Sequence, residues 1–411
     1  MRYRGDKSVS AAEPRFILRC RIDHSRSPPR VESGAIVALR LFDIAYAIDL
    51  AAAERLWAVH ASAGSRRSQL SMTPAKAVAF DVPPVLLNLD PISLRIDGQL
   101  VSAAVSARLY DFGVVAFALR VVVADLEWAA YSRLLNQIDA AIGPEARYET
   151  QVPGTAPGEQ DCWQPLLVQV RTVLASALTR PAQSSMQEDY LLGIVHRWSE
   201  PLSAVALQDS VDLVPLLSGE RRPLSEGARR DLLRHSYSYF DDDLVVLTWD
   251  RAFIYEPRKE TDVADVIEVA NAQLLELRYY DELLDDELPR MYDLVEAERS
   301  SGRVLNLLAP RRFAGLARRL HTLVAEVTEI TEQVDNALQV TEDVYLARIY
   351  SAALEQFRVA AVAAAVDRKL AIIRDTYTAL YEEASGARGA LMEAAIVLLI
   401  VFEIVLALIG R

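Results

Sequence analysis

Residues 390–409 read ALMEAAIVLLIVFEIVLALI, and no other feature constrains the chain as strongly. Thirteen of these twenty residues are Leu, Ile, Val or Phe. A helix of this length spans about 30 Å, the thickness of a bilayer's hydrocarbon core. At about −0.3 to −0.6 kcal/mol each, the large apolar residues outweigh one central acid costing ~3 kcal/mol. Glu393 lies near the start of the run and Glu403 well inside it. The run reads as a membrane-spanning helix bracketed by Arg388 and Arg411; a buried helix of a soluble bundle is the alternative. Its position predicts a tail anchor over residues 389–411, with residues 1–388 left on the side of synthesis. The two glutamates sit ~80° apart on the helical wheel and share one broad face. That face is expected to pack against the same helix in neighbouring copies, because an acid inside a bilayer seeks a protein partner. A merely tolerated acid is the plainer alternative.

The stretch before the anchor, residues 262–388, is read as a helical coiled-coil region. Ile267, Leu274, Leu288 and Val295 fall on one heptad position, and Ala270, Leu277, Leu284 and Met291 on the other. Pro289 should kink or break this helix. A cleaner seam follows in Phe313, Leu316, Leu320, Leu323, Val327 and Ile330. A third helix carries Val366, Leu370, Ile373, Tyr377 and Leu380, with Gly386 and Gly389 as a joint before the anchor. Breakers at Ser301-Gly302 and Ala309-Pro310 favour an antiparallel hairpin that also oligomerises. Residues 262–299 hold twelve acids and three bases, whereas Arg303, Arg311, Arg312, Arg318 and Arg319 follow with no acid among them. Opposite blocks on consecutive helices are expected to lie side by side. The alternative makes Arg311, Arg312, Arg318 and Arg319 an anion contact, for lipid head groups or RNA.

The earlier half reads as α+β. Residues 1–30 form a basic arm that does not resemble a secretory signal, and acids at Asp6, Glu13 and Asp23 count against a transit peptide. An α+β domain is expected over residues 31–142. Its strands are Ile36–Leu39, Val85–Leu87, Leu94–Ile96, Ala103–Tyr110 and Val114–Val123, with a helix around Leu50–Val59 and another capped by Asp125. Residues 143–162 are the linker. A second unit, 163–261, carries strands Leu244–Trp249 and Ala252–Tyr255 before Asp262 caps the long helix. Tyr110-Asp111-Phe112-Gly113-Val114-Val115 and Tyr239–Val246 share an aromatic-acid-Val-Val order, which would follow from duplication or from the general look of any hairpin leading into a helix.

Nothing in the sequence carries chemistry securely. Walker-type, HExxH and GxSxG motifs are absent. His24, His60, His196, His235 and His321 are scattered, and Cys20 and Cys162 lie far apart. The acidic turn Asp241–Asp243 and the acidic patch Asp281, Glu282, Asp285, Asp286 and Glu287 read as solvated faces before cation sites. No catalytic residue, cofactor or metal site is expected. A formal net charge of −13 argues against a protein that coats nucleic acid.

Three stretches are similar to the required-for-meiotic-nuclear-division family, whose fungal relatives include septation-interacting proteins. They are the hairpin Tyr110-Asp111-Phe112-Gly113-Val114-Val115, the helical Asp367-Arg368-Lys369-Leu370, and the tail Met392-Glu393, apolar from Ile396 and ending Phe402-Glu403. The resemblance implies a homo-oligomeric membrane scaffold without catalytic residues; eukaryotic members sit in the mitochondrial inner membrane and support organellar translation. With Arg far outnumbering Lys, a bacterial inner-membrane location is expected, the bulk of the chain being cytosolic. The function expected is a non-enzymatic, tail-anchored scaffold presenting its α+β domains to a protein partner by avidity. Two rivals stand beside it: a membrane-bound ligand sensor or enzyme, and an RNA or ribosome tether. A large cavity with convergent polar groups among residues 35–260 would favour the ligand reading.

Overall fold

The structure, a computed structural model, describes residues 29–60, 65–67, 83–143, 162–182, 186–220, 222–300, Arg318, Thr322, Val324, Ala325, Thr328 and 343–409. Residues 1–28 of the basic arm (1–30), most of the linker (144–161), the seam residues Phe313, Leu316, Leu320, Leu323, Val327 and Ile330, and Arg311, Arg312 and Arg319 lie outside the described residues, whereas Arg30 of the arm already belongs to the first strand. Arg318 is exposed on a helical turn.

The chain is mixed α+β, built on one nine-stranded sheet. Its strands are β1 (Arg30–Asp43), β3 (Ser65–Arg67), β4 (Val85–Ile96), β5 (Gln99–Leu109), β6 (Val114–Glu127), β8 (Gln187–Trp198), β9 (Ser236–Tyr237), β10 (Leu244–Leu247) and β11 (Arg251–Tyr255), in the order β3-β4-β5-β6-β1-β8-β11-β10-β9. All neighbours are antiparallel except β8 and β11. β2 (Ala45–Ile48) and β7 (Leu178–Pro181) form a separate antiparallel pair. The stretches read as two units therefore share one sheet. Their similar hairpins also lead to helices on opposite faces: β5–β6 into α2 (Trp128–Ile142) and β10–β11 into α7 (Asp262–Ser300).

The sequence of β1 states its position. From Ala35 to Phe42 every side chain is buried, because helices cover both faces of the central strands. One core lies between the sheet and α1 (Leu50–His60), α2 and α3 (Trp163–Val173), with the short helices α4 (Ala204–Ser210), α5 (Val214–Ser218) and α6 (Glu226–Leu232) packed against it. The other lies between the sheet and α7, α8 (Val344–Gln356) and α9 (Val359–Ile409). Strands β4 and β5 bury alternate residues instead, so one of their faces lacks a helical cover.

Several local expectations need correction. Val85–Leu87 and Leu94–Ile96 belong to one strand, β4, whose register shifts between Leu89 and Ile92; the irregularity accommodates Pro91, which lacks an N–H. Asp97 (φ 48°) and Gly98 (φ 77°) form the tight turn into β5. Asp125 does not cap α2. It lies within β6 at φ 49° and accepts the Arg30 guanidinium at 3.0 Å, and Glu127 precedes the helix without a side-chain cap. Pro289 does not break α7, which runs from Asp262 to Ser300. Gly386 and Gly389 make no break either, since α9 continues from Val359 to Ile409.

Most heptad residues of α7 are buried, although Asp281, on the same heptad position as Ile267 and Leu274, meets Lys369 of α9 instead. Ile267, Ala270, Leu274, Leu277, Leu284 and Met291 are buried, and so is every residue from Asp265 to Leu277. This helix shares one core with the sheet, α8 and α9, and Phe357 between α8 and α9 packs on Tyr190 of β8. Lys369 of α9 meets Asp281 and Asp285 at 2.7 Å each, so the acidic patch partly serves to hold α9 in place. Among the described residues no single helix is long and apolar enough to cross a membrane. The bent pair Val344–Gln356 and Val359–Thr376, at 62°, passes only when taken together. Beyond it, the side chains of Ile396–Phe402, Ile404 and Val405 are exposed. Those of Glu393 and Glu403 lie outside the described residues.

Candidate ligand-binding site

Where α7 begins, the helical cover stops short of β4 and β5 and leaves a cavity of about 440 Å³. That is room for about fifteen waters, within the usual range for small-molecule sites. Its floor is the outer face of the sheet, with Val37, Leu39, Ala118, Leu192, Ile194 and Ile254. A bulge in β1 around Ser33 sits at its edge. Gly34 is needed there because a Cβ would lie 2.5 Å from the Ile194 carbonyl oxygen of β8.

Two polar groups of different character line this floor. At one end Arg108 of β5 reaches the first turns of α7. It donates to Asp265 at 2.8 Å and pairs with Glu268 at 3.1 Å. Tyr110 donates its hydroxyl to Glu268 at 2.8 Å, and Thr261 donates to Asp265 at 2.9 Å. Burial pushes the Glu268 carboxyl up, and the Arg108 charge opposes that rise. Burial and the adjacent Glu268 charge likewise push the Tyr110 hydroxyl well up, so it stays a proton donor. This end is closed: Asp265 and Glu268 share the one Arg108 guanidinium.

The other end is open. Arg120 of β6 places its guanidinium 3.5 Å from His196 Nε2 of β8. His196 Nδ1 lies 3.0 Å from the Glu256 carbonyl oxygen; as the donor there, it leaves Nε2 as the unprotonated nitrogen facing Arg120. Burial holds the imidazole below its ordinary pKa, and the charges of Arg120 and Lys259 push it further the same way. Burial also lowers the Arg120 pKa. Among the described residues neither Arg120 nor Lys259 has a carboxylate within ion-pair distance, whereas Glu260 is paired with Arg258 at 3.6 Å. Exposed Lys259, at φ 61°, stands with Glu260 at the mouth.

Of these polar residues the sequence singles out only two, His196 as one of five scattered histidines and Tyr110 as part of the turn into β6. The legible signal is charge inside mostly apolar strands: Arg120 interrupts the run Val114–Val123, otherwise Ala, Val, Leu and Phe, and Arg108 lies near the end of the Ala-, Val- and Ser-rich β5. The acidic turn Asp241–Asp243, read as a solvated face, is exposed at Asp241 and Asp242 but buried at Asp243. Asp243 accepts the backbone N–H groups of Tyr239 (2.7 Å) and Phe240 (3.2 Å), which makes the acidic turn a structural one. Among the described residues no group of three or more His, Cys, Asp or Glu side chains is placed to hold a metal.

A family model described as "Uncharacterized protein MJ0711, N-terminal domain" matches residues 33–262. The uncharacterized protein MJ0711 of Methanocaldococcus jannaschii is 27% identical over 222 residues, 54% of this chain and 66% of the relative. The chain thus spans just under two thirds of that relative's length. No solved structure matches. The family match takes in more than half of the chain, including the sheet from within β1 through β11 and every strand residue that lines the cavity. The chain belongs to the family described by the N-terminal domain of the uncharacterized protein MJ0711.

Proposed function

We propose that this protein binds a small molecule in the cavity beneath the start of α7, and that its C-terminal helix tethers it to a membrane. The cavity carries the first part. Its volume, its apolar floor and a convergent set of polar groups from β5, β6, β8 and the β11–α7 connection are the features of a recognition site. Binding fits better than catalysis, because among the described residues His196 contacts only Arg120 and the Glu256 carbonyl, with no hydroxyl or thiol set against it as a nucleophile. In the detergent-extracted full chain, Ala264→Trp is expected to fill the cavity. Small molecules released by heating the purified protein should then be found by mass spectrometry with the parent chain and be missing with the variant. Identical release from both would end this reading.

The tether rests on the run 390–409 and on the exposure of Ile396–Phe402, Ile404 and Val405, which no described part of the chain covers. Deleting residues 390–411 is expected to move the protein from carbonate-washed membranes to the soluble fraction; persistence in the pellet would refute the tether. A scaffold held in one plane, as the resemblance to the meiotic-nuclear-division family implies, would use the same segment and is compatible with a ligand-sensing body.

A further inference from the structure

We infer that the open end of the cavity recognises a phosphate monoester, with Arg120, His196 and Lys259 holding the phosphate and the apolar sheet face holding the organic body. This rests on the cavity being a ligand site and adds the class of ligand.

Charge pairing carries the argument. The acids lining the cavity are Glu260, Asp265 and Glu268. Glu260 pairs with Arg258, and the other two pair with Arg108. That leaves Arg120 and Lys259 without a carboxylate among the described residues, both near the His196 imidazole. Both charges act on the same His196 imidazole, so an anion bound beside it meets both. A carboxylate brings one charge, whereas a phosphate monoester brings about −1.5 to −2 near neutral pH and three acceptor oxygens. Those oxygens match the donors available: the forked guanidinium, the ammonium, and the imidazole once it takes a proton. The start of α7 adds the positive end of a 39-residue helix, with Thr261 and Ala264 lining the cavity. The remaining lining is mostly the apolar sheet face, such as Leu39, Ala118, Leu192 and Ile254, with the hydroxyl residues Ser33 and Ser106 among it, so the body attached to the phosphate is largely apolar or aromatic.

Phenyl phosphate, inorganic phosphate and phenol are suitable probes for titration calorimetry on the full chain in mild detergent. Phenyl phosphate is expected to bind more tightly than inorganic phosphate, and phenol not measurably. Arg120→Gln should weaken phenyl phosphate at least about tenfold, as expected when a charged hydrogen-bonding partner is lost. Lys259→Gln should weaken it several-fold; its side chain is exposed, so this variant still decides the matter if the Arg120 variant fails to fold. Phosphatidate mixed into the micelles displacing phenyl phosphate would place the same recognition on a lipid head group, and no displacement would place it on a soluble ester. Phenyl phosphate affinity unchanged in both variants would overturn the inference. So would heat release of an uncharged or cationic molecule, sensitive to Ala264→Trp, without any phosphate binding; the cavity would then remain a ligand site of another class. No binding together with no released molecule would remove both readings.

Discussion

Gly113→Ala is expected to lower stability by roughly 3–5 kcal/mol, a large share of the ~5–15 kcal/mol that holds a folded domain together. Gly113 closes the turn between β5 and β6 at φ 96°, a conformation open to glycine and strained for alanine. An added Cβ would also sit 1.7 Å from the carbonyl oxygen of Ala45 and 2.8 Å from its carbon. The contact cannot relax cheaply, because the turn is bonded to the segment it would strike. The Gly113 oxygen accepts the Ile44 N–H at 3.0 Å, and the Asp111 oxygen accepts the Ile48 N–H at 2.8 Å. Within the turn the Tyr110 and Phe112 rings stack at 5.2 Å. The variant must either tear β2 from the turn or distort both. Thermal unfolding of parent and variant checks this, with a drop of several degrees expected; a melting temperature within about one degree of the parent would mean that the turn does not rest on β2.

That turn was visible in the sequence as an aromatic-acid-aromatic-Gly step before Val-Val, and the strands on both sides of it were read correctly. Local order was legible elsewhere too: the apolar run of β1, the helix after Leu50, the β10–β11 hairpin and the start of α7 at Asp262 all announce themselves by periodicity and punctuation. Partner choice was not. β1 lies between β6 and β8, drawn from either side of the linker, and β8 pairs in parallel with β11. Nothing local in a strand names its neighbour, so one sheet was read as two units. The heptad pattern of α7 misled for a related reason. Its a and d positions are apolar except Asp281, but so are Val266, Val269 and Leu275, and these off-stripe residues are buried too because the sheet and two helices surround this helix. A two-sided core and a coiled-coil seam look alike when only one stripe is counted. The cavity was the least legible feature. Arg108, Arg120, His196 and Lys259 are separated by at least a dozen residues each and meet only through sheet register: Arg108 is opposite Ala116, four residues along the same face from Arg120, or ~13 Å.

Arg108→Met is expected to cost about 3–5 kcal/mol near neutral pH and much less in acid. The guanidinium, Asp265 and Glu268 have side chains 12%, 7% and 8% exposed, so removing the cation strands two buried carboxylates with little water to replace it. The pH dependence follows from Glu268. Burial already pushes its carboxyl above 4.5, and Arg108 supplies the main opposing pull; the variant loses that pull, so the folded-state pKa climbs further. An acid whose folded pKa exceeds its unfolded one binds a proton on folding, and stability then falls as pH rises from about 4.5 toward the folded value. Below that window the group is protonated in both states and carries no penalty. The gap in melting temperature between parent and variant should therefore widen from pH 4.5 to pH 8. Arg108→Lys, which keeps a charge but loses the fork, should recover part of it. A gap that stays constant across this range would assign the loss to packing alone, and the link between α7 and β5 would then not depend on the charge of Arg108.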